Sequence, residues 1–62
     1  MQIEFLMSTY PKPISVDLRV FLNRGGLAKL EDFWELFIWV EVDDVPITSP
    51  KHLKALLLVT GD

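Results

Sequence analysis

Two hydrophobic periods alternate along the chain and divide it into short elements. Residues 2–9 place apolar side chains at every second position, with Leu6 as the one that breaks the rule, and this pattern predicts a half-buried strand. Residues 10–13 contain two prolines, each of which fixes φ and disfavours helix in the residue before it. We therefore predict a turn after the first strand.

Residues 14–22 also alternate, and they fit two structures. The inward positions would be Ile14, Val16, Leu18, Val20 and Leu22. Most of these are β-branched, which favours a second strand. The alternative is a helix that Ser15 would cap and Gly25 would stop, with one apolar face. Its face would comprise Ile14, Leu18, Phe21 and Leu22. We take the strand as the prediction.

The period changes to that of a helix over residues 27–37. The inward positions of this helix would be Leu27, Leu30, Phe33, Trp34 and Phe37. Residues 38–42 return to a β-rich alternating pattern and predict a further strand. Residues 43–48, which open on two aspartates and include a proline, predict a loop.

The last helix has clear start and stop signals. Ser49 is a good N-cap residue, and Pro50 suits the first helical position because its missing N–H would have no partner there. We predict a helix over residues 50–60 that ends at Gly61. Its inner face would comprise Leu53, Leu56 and Leu57, widened by Leu58 and Val59.

The order of elements is β-β-α-β-α over one domain, residues 1–62. This predicts an α+β fold in which a short sheet is packed by two helices. If residues 14–24 were helical, the fold would instead be mainly α and similar in arrangement to a winged helix.

Composition adds a reason to expect a partner chain. On folding, a chain of 62 residues buries only about 60% of the surface that its unfolded form exposes. Half of this sequence is nevertheless hydrophobic, and its mean hydropathy is +0.30. The absence of cysteine excludes disulfides and cysteine-based zinc sites, and it fits a cytoplasmic protein. Because no signal-like or membrane-length apolar segment is present, we expect no membrane association.

The net charge of −3 conceals a segregation along the chain. Residues 1–29 carry a net charge of +2, residues 30–50 carry −6 and residues 51–62 carry +1. The basic residues of the first segment are Lys12, Arg19, Arg24 and Lys29. Four such charges in an acidic chain argue against nucleic-acid binding, which stays the alternative function.

Several groups of residues are weak candidates for chemistry. His52 is the only histidine and could act as a general base with Asp43 or Asp44. Together with Glu41, these residues could also bind a hard cation, although their spacing does not match an EF-hand. Paired carboxylates at Glu31 and Glu35 on the first helix, and an anion-binding turn at residues 25–26, are further candidates. For each of these a solvated surface or an ordinary turn is the better interpretation, so we predict no enzyme, cofactor or metal site.

The aromatic residues give the strongest functional signal. A small core accommodates phenylalanine easily but does not readily bury two tryptophans, and exposed tryptophan is typical of interfaces. The predicted interface residues are Trp34, Trp39, Phe37 and Phe21. We therefore predict a small non-enzymatic protein-interaction or regulatory module that self-associates, with a homodimer or another protein as its partner.

Overall fold

In the computed structural model of the protein, which describes residues 1–60, four antiparallel strands form one sheet and three helices pack on it. The strands are β1 (Gln2–Met7), β2 (Tyr10–Asp17), β3 (Phe37–Val42) and β4 (Val45–Pro46), in the order β2-β1-β3-β4. The helices are α1 (Leu18–Asn23), α2 (Gly26–Asp32) and α3 (Pro50–Thr60), with a 3-10 turn at Trp34–Leu36. The predicted α+β class is confirmed, and the sheet rules out the mainly α alternative.

The core lies between one face of the sheet and the helices. Its buried members are Ile3, Phe5, Leu18, Leu30, Val40, Val42, Ile47 and Leu53. Each helix contributes one buried leucine, and β1 contributes Ile3 and Phe5, with Met7 partly buried against them, as the alternating pattern predicts. Burial of each such side chain stabilises the fold by about 1.5–3 kcal/mol.

The turn predicted at residues 10–13 is wrong, because the chain turns at residues 8–9 and the prolines lie inside β2. Leu18 donates its N–H to the carbonyl of Met1 at 2.8 Å, which extends the β1–β2 ladder by one pair. Since N–H direction alternates along a regular strand, the N–H groups of Ile14, Val16 and Leu18 point to β1, and those of the odd-numbered positions 13–17 face outward. The donor that Pro13 lacks would therefore have faced the sheet edge, where proline is tolerated, and Pro11 lies where the register of β1 with β2 shifts.

Residues 14–22 combine the two structures that their pattern allowed. The strand ends at Asp17, and the helix Leu18–Asn23 begins there. Asp17 is the N-cap, because its carboxylate accepts hydrogen bonds from the N–H groups of Arg19 at 2.9 Å and Val20 at 3.4 Å. The strand prediction is therefore right for 14–17 and wrong for 18–22.

Gly25 and Gly26 lie at the junction of α1 and α2, where the two helices approach closely. Gly25 adopts φ +74°, a left-handed conformation that favours glycine. A Cβ atom on Gly26 would lie 2.5 Å from the ring and from the carbonyl oxygen of Phe21. The pair therefore permits a tight turn and a close approach of the two helices.

The helix predicted over residues 27–37 is shorter than expected. It ends at Asp32, because Phe33 leaves the helical region with φ −121° and the chain tightens into the 3-10 turn. Phe33, expected to face inward, is consequently 52% exposed, and Trp34 packs against the core in its place. Strand β3 then begins at Phe37.

The predicted bounds of the last helix, residues 50–60, and its predicted N-cap, Ser49, are both confirmed. Ser49 Oγ accepts a hydrogen bond from the N–H of His52 at 3.1 Å. The widened inner face is wrong, because Leu58 and Val59 are 82% and 83% exposed. The predicted stop at Gly61 lies outside the described residues.

Candidate functional site: the open face of the sheet

One face of the sheet is left uncovered by the helices of residues 1–60. We call it the open face; it comprises Gln2, Glu4, Leu6, Ser15, Trp39 and Glu41. Even-numbered residues of β1 project from it, because successive side chains of a strand point to opposite faces and the odd-numbered ones enter the core. The open face has a polar half, around the Glu4–Glu41 pair, and an apolar half, around the Leu6–Trp39 pair.

The apolar half is built on one cross-strand pair. Leu6 in β1 lies opposite Trp39 in β3. Both side chains are half-buried, and neither belongs to the cluster packed around the core. Because opposite positions bring Cβ atoms within about 4.5–5.5 Å, the two side chains form a continuous apolar surface on the open face.

The polar half is a shallow acidic groove. Its volume is about 220 Å³, and its lining residues are Gln2, Glu4, Ser15, Glu41, Asp43 and Asp44. Glu4 and Glu41 are direct partners across β1 and β3, so two carboxylates share one site on the sheet. Like charges placed opposite each other destabilise a sheet, and the described residues place no cation within salt-bridge distance of either.

The hairpin between β3 and β4 holds the acidic end of this groove. Asp43 and Asp44 have φ values of 46° and 68°, the left-handed pair that a two-residue type I′ turn requires. Aspartate tolerates this conformation better than most residues. Asp43 also accepts a hydrogen bond from the N–H of Gln2 at 2.9 Å, which ties the turn to β1.

The surroundings of Glu41 in the acidic groove shift its pKa. Loss of hydration, followed by repulsion from Glu4 and Asp44 and a hydrogen bond with Glu4, raises the pKa of Glu41 above its ordinary value. The groove is therefore a region of negative potential that would gain from a positively charged neighbour.

Both edges of the sheet resist the addition of another strand. At the β2 edge, Pro13 removes an outward N–H group, and Pro11 supplies no N–H donor either. At the β4 edge, Ile47 donates its N–H inward to Val40 at 2.8 Å, which leaves Pro46 as the outward residue. Prolines at sheet edges block strand pairing, so contact with another protein has to use a face of the sheet or the helices.

Comparisons with protein families, with characterised proteins and with solved structures found no significant match.

The predicted interface residues separate into two groups. Phe21, Trp34 and Phe37 are partly buried and pack against the core. The ring of Phe5 lies 5.7 Å from Phe21 and 5.4 Å from Phe37, and Trp34 stacks 6.4 Å from Phe37. Trp39 alone of the four lies on the open face. The interface role of all four stays a prediction, and their packing favours Trp39.

Sequence reasoning missed the neighbours of Trp39 on the open face. Leu6 carried a signal, since it was the one apolar residue that broke the alternation of β1. Glu4 carried none, because a glutamate at an outward strand position is ordinary until its partner is known. The pairing of Glu4 with Glu41 depends on register, which a single sequence does not reveal.

The single histidine takes part in the cap of α3. Its Nδ1 lies 3.1 Å from the backbone nitrogen of Thr48 and accepts that N–H. With the bond from His52 N–H to Ser49, this forms a reciprocal arrangement that resembles a capping box. His52 is not among the residues that line the acidic groove, so the structure does not bring it together there with Asp43 and Asp44.

The paired carboxylates Glu31 and Glu35, which the sequence offered as a further candidate, do not form a pair. Glu31 pairs with Lys54 of α3, Nζ to Oε2 2.8 Å. Glu35 lies in the 3-10 turn, so the expected shared helix face of Glu31 and Glu35 is wrong. Within residues 1–60 no three acidic or histidine side chains are grouped as a metal site would need. No helix in this part of the chain is long and apolar enough to span a bilayer.

The basic residues of the first half lie away from the groove. Arg19 is in α1, Arg24 is its C-cap and Lys29 is in α2, and all three are exposed. Among the described residues, the Lys54–Glu31 pair is the one salt bridge, so these three have no carboxylate within 4.0 Å. Lys12 lies in the edge strand β2.

Proposed function

We propose that this chain is a small non-enzymatic interaction module that self-associates through the open face of its sheet, with Trp39 at the centre of the contact. The observation that carries the proposal is the pair Leu6–Trp39, an aromatic and an aliphatic side chain opposite each other on a face that no helix of residues 1–60 covers. Tryptophan is the residue most enriched among those that dominate binding energy.

The sheet edges support this choice of surface. Prolines at both edges prevent a second copy from extending the sheet, so association by strand addition is disfavoured. A contact through the open face is compatible with these edges, and it would remove the exposed parts of Leu6 and Trp39 from water.

The candidate catalytic residues, His52 and the carboxylates of the acidic groove, support a non-enzymatic function. One ring nitrogen of His52, Nδ1, accepts the Thr48 N–H in the cap of α3. The carboxylates of the acidic groove line a shallow depression on the sheet and not an enclosed cavity. General acid–base catalysis needs a positioned group in a shielded site.

Sedimentation velocity across protein concentration tests the proposal. We expect a mass above 7.1 kDa for the wild type at micromolar concentration. Trp39→Ala should be folded and monomeric. Tyr10→Ala is the matched control, since Tyr10 is a 50% exposed aromatic outside the open face and should leave association unchanged.

A wild type that remains at 7.1 kDa at about 100 μM would disprove self-association. A Trp39→Ala variant that still associates would move the contact away from the open face.

A further inference from the structure

We infer that the open face of one copy docks on the α1–α2 surface of the next, in a head-to-tail contact between the acidic groove and the cations of these two helices. This rests on the proposed function, because it specifies what meets the open face.

The first argument is the charge on the two surfaces. The acidic groove presents Glu4, Glu41, Asp43 and Asp44, and its lining contains no lysine or arginine. Residues 18–29, which cover α1 and the first half of α2, contain three cations and no carboxylate. The two acids of α2, Glu31 and Asp32, lie at its C-terminal end, and Glu31 is paired with Lys54. Potentials of opposite sign across an interface favour encounter and fix its register.

The second argument is that neither set of charges has an ion-pair partner within the described part of the chain. Arg19, Arg24 and Lys29 are exposed and have no carboxylate within 4.0 Å, and neither Glu4 nor Glu41 has a cation at that distance. A contact between copies would satisfy both sets without breaking an existing ion pair.

The third argument is position. Helices α1 and α2 pack on the core side of the sheet through Leu18 and Leu30, whereas the groove lies on the opposite side. The complementary surfaces of one chain therefore cannot meet each other, and each is free for another copy. A contact between two different patches is heterologous and, unless it closes into a ring, continues as an open chain of copies.

Apolar residues accompany the charges on both sides. Leu6 and Trp39 adjoin the groove, and Val20 of α1 is 45% exposed beside Arg19. Burial of this apolar surface supplies attraction that salt does not screen, while the charges select the orientation.

Two complementary variants test the arrangement. In the first, Trp39→Ala with Glu41→Lys disables the open face and leaves α1–α2 intact. In the second, Arg19→Glu with Lys29→Glu reverses the helix surface and leaves the open face intact. All of these positions lie outside the core, and circular dichroism checks that each variant is folded.

We expect wild-type mass to grow beyond a dimer with concentration and to fall as salt rises from about 0.05 to about 0.5 M, since screening shortens the reach of the charges. Each double variant alone should be monomeric, with association weakened at least about tenfold. An equimolar mixture should form a 1:1 dimer and nothing larger, because each molecule retains one working surface.

Other outcomes separate this inference from the proposed function. If Arg19→Glu with Lys29→Glu still associates as the wild type does, the contact is a symmetric one between open faces, and the head-to-tail arrangement is wrong. If the mixture remains monomeric, it is wrong as well. A monomeric wild type overturns the proposed function itself. If that monomer binds an oligolysine peptide and Trp39→Ala does not, the open face takes a foreign cationic partner instead.

Discussion

Leu53→Ala should cost this protein a large share of its stability, because Leu53 is the most deeply buried contact of α3 with the rest of the fold. Among the α3 side chains that the structure describes, only Leu53 belongs to the buried core, and its exposure is 0%. A buried Leu→Ala change costs about 2–5 kcal/mol, from lost burial and from the cavity that remains. A domain of this size has a free energy of unfolding of about 3–9 kcal/mol.

The other contacts of α3 cannot compensate. Its ion pair, Lys54 with Glu31, joins side chains that are 47% and 43% exposed, and such pairs contribute about 0–1 kcal/mol. Leu56 and Leu57 are only partly buried against the core. We therefore expect a loss of about 3 kcal/mol and a fall in Tm of about 12–24 °C.

Thermal unfolding followed by circular dichroism measures this loss, at one fixed protein concentration because self-association would also shift Tm. The matched control is Leu58→Ala on the same helix, where the side chain is 82% exposed and the change should be within about 0.5 kcal/mol. If the two variants unfold at the same temperature, the buried position of Leu53 and the packing of α3 derived from it are wrong.

Three further substitutions test separate features of the fold. Gly26→Ala should destabilise by about 1–3 kcal/mol in urea unfolding, because the added Cβ meets the ring and carbonyl of Phe21; an unchanged midpoint would contradict that close approach. Ser49→Ala should cost about 1 kcal/mol through loss of the α3 cap, and Ser49→Gly only a few tenths. Glu41→Gln should stabilise the protein at neutral pH, because the raised pKa means that the charged form is disfavoured in the folded state. Stability of the wild type therefore falls as pH rises through the window above the ordinary glutamate pKa. The gain from Glu41→Gln should vanish at about pH 3.5, where Glu41 is protonated in the folded and in the unfolded state. An equal gain at both pH values would show that folding does not raise the pKa of Glu41.

Local sequence signals determined the fold class and the best-defined element. The strand β1 is predictable from its own alternation, because an apolar residue at every second position produces one buried face in any sheet. Ser49 and Pro50 act on the N–H groups of the next turn, so they mark the start of α3 whatever it packs against.

Only the tertiary structure decided which apolar residues face the core. Phe33 and Trp34 both fit an inward helical position, but where α2 ends, Phe33 is exposed and Trp34 is partly buried against the core. Pro11 and Pro13 were compatible with a strand only because β2 is an edge strand, which depends on the order of strands. The open face has the same origin: Trp39 lies opposite Leu6, and Glu41 opposite Glu4, through the register of β1 with β3. Register joins residues more than thirty positions apart, and a one-residue slip would send every side chain of a strand to the other face, so local periodicity cannot specify it.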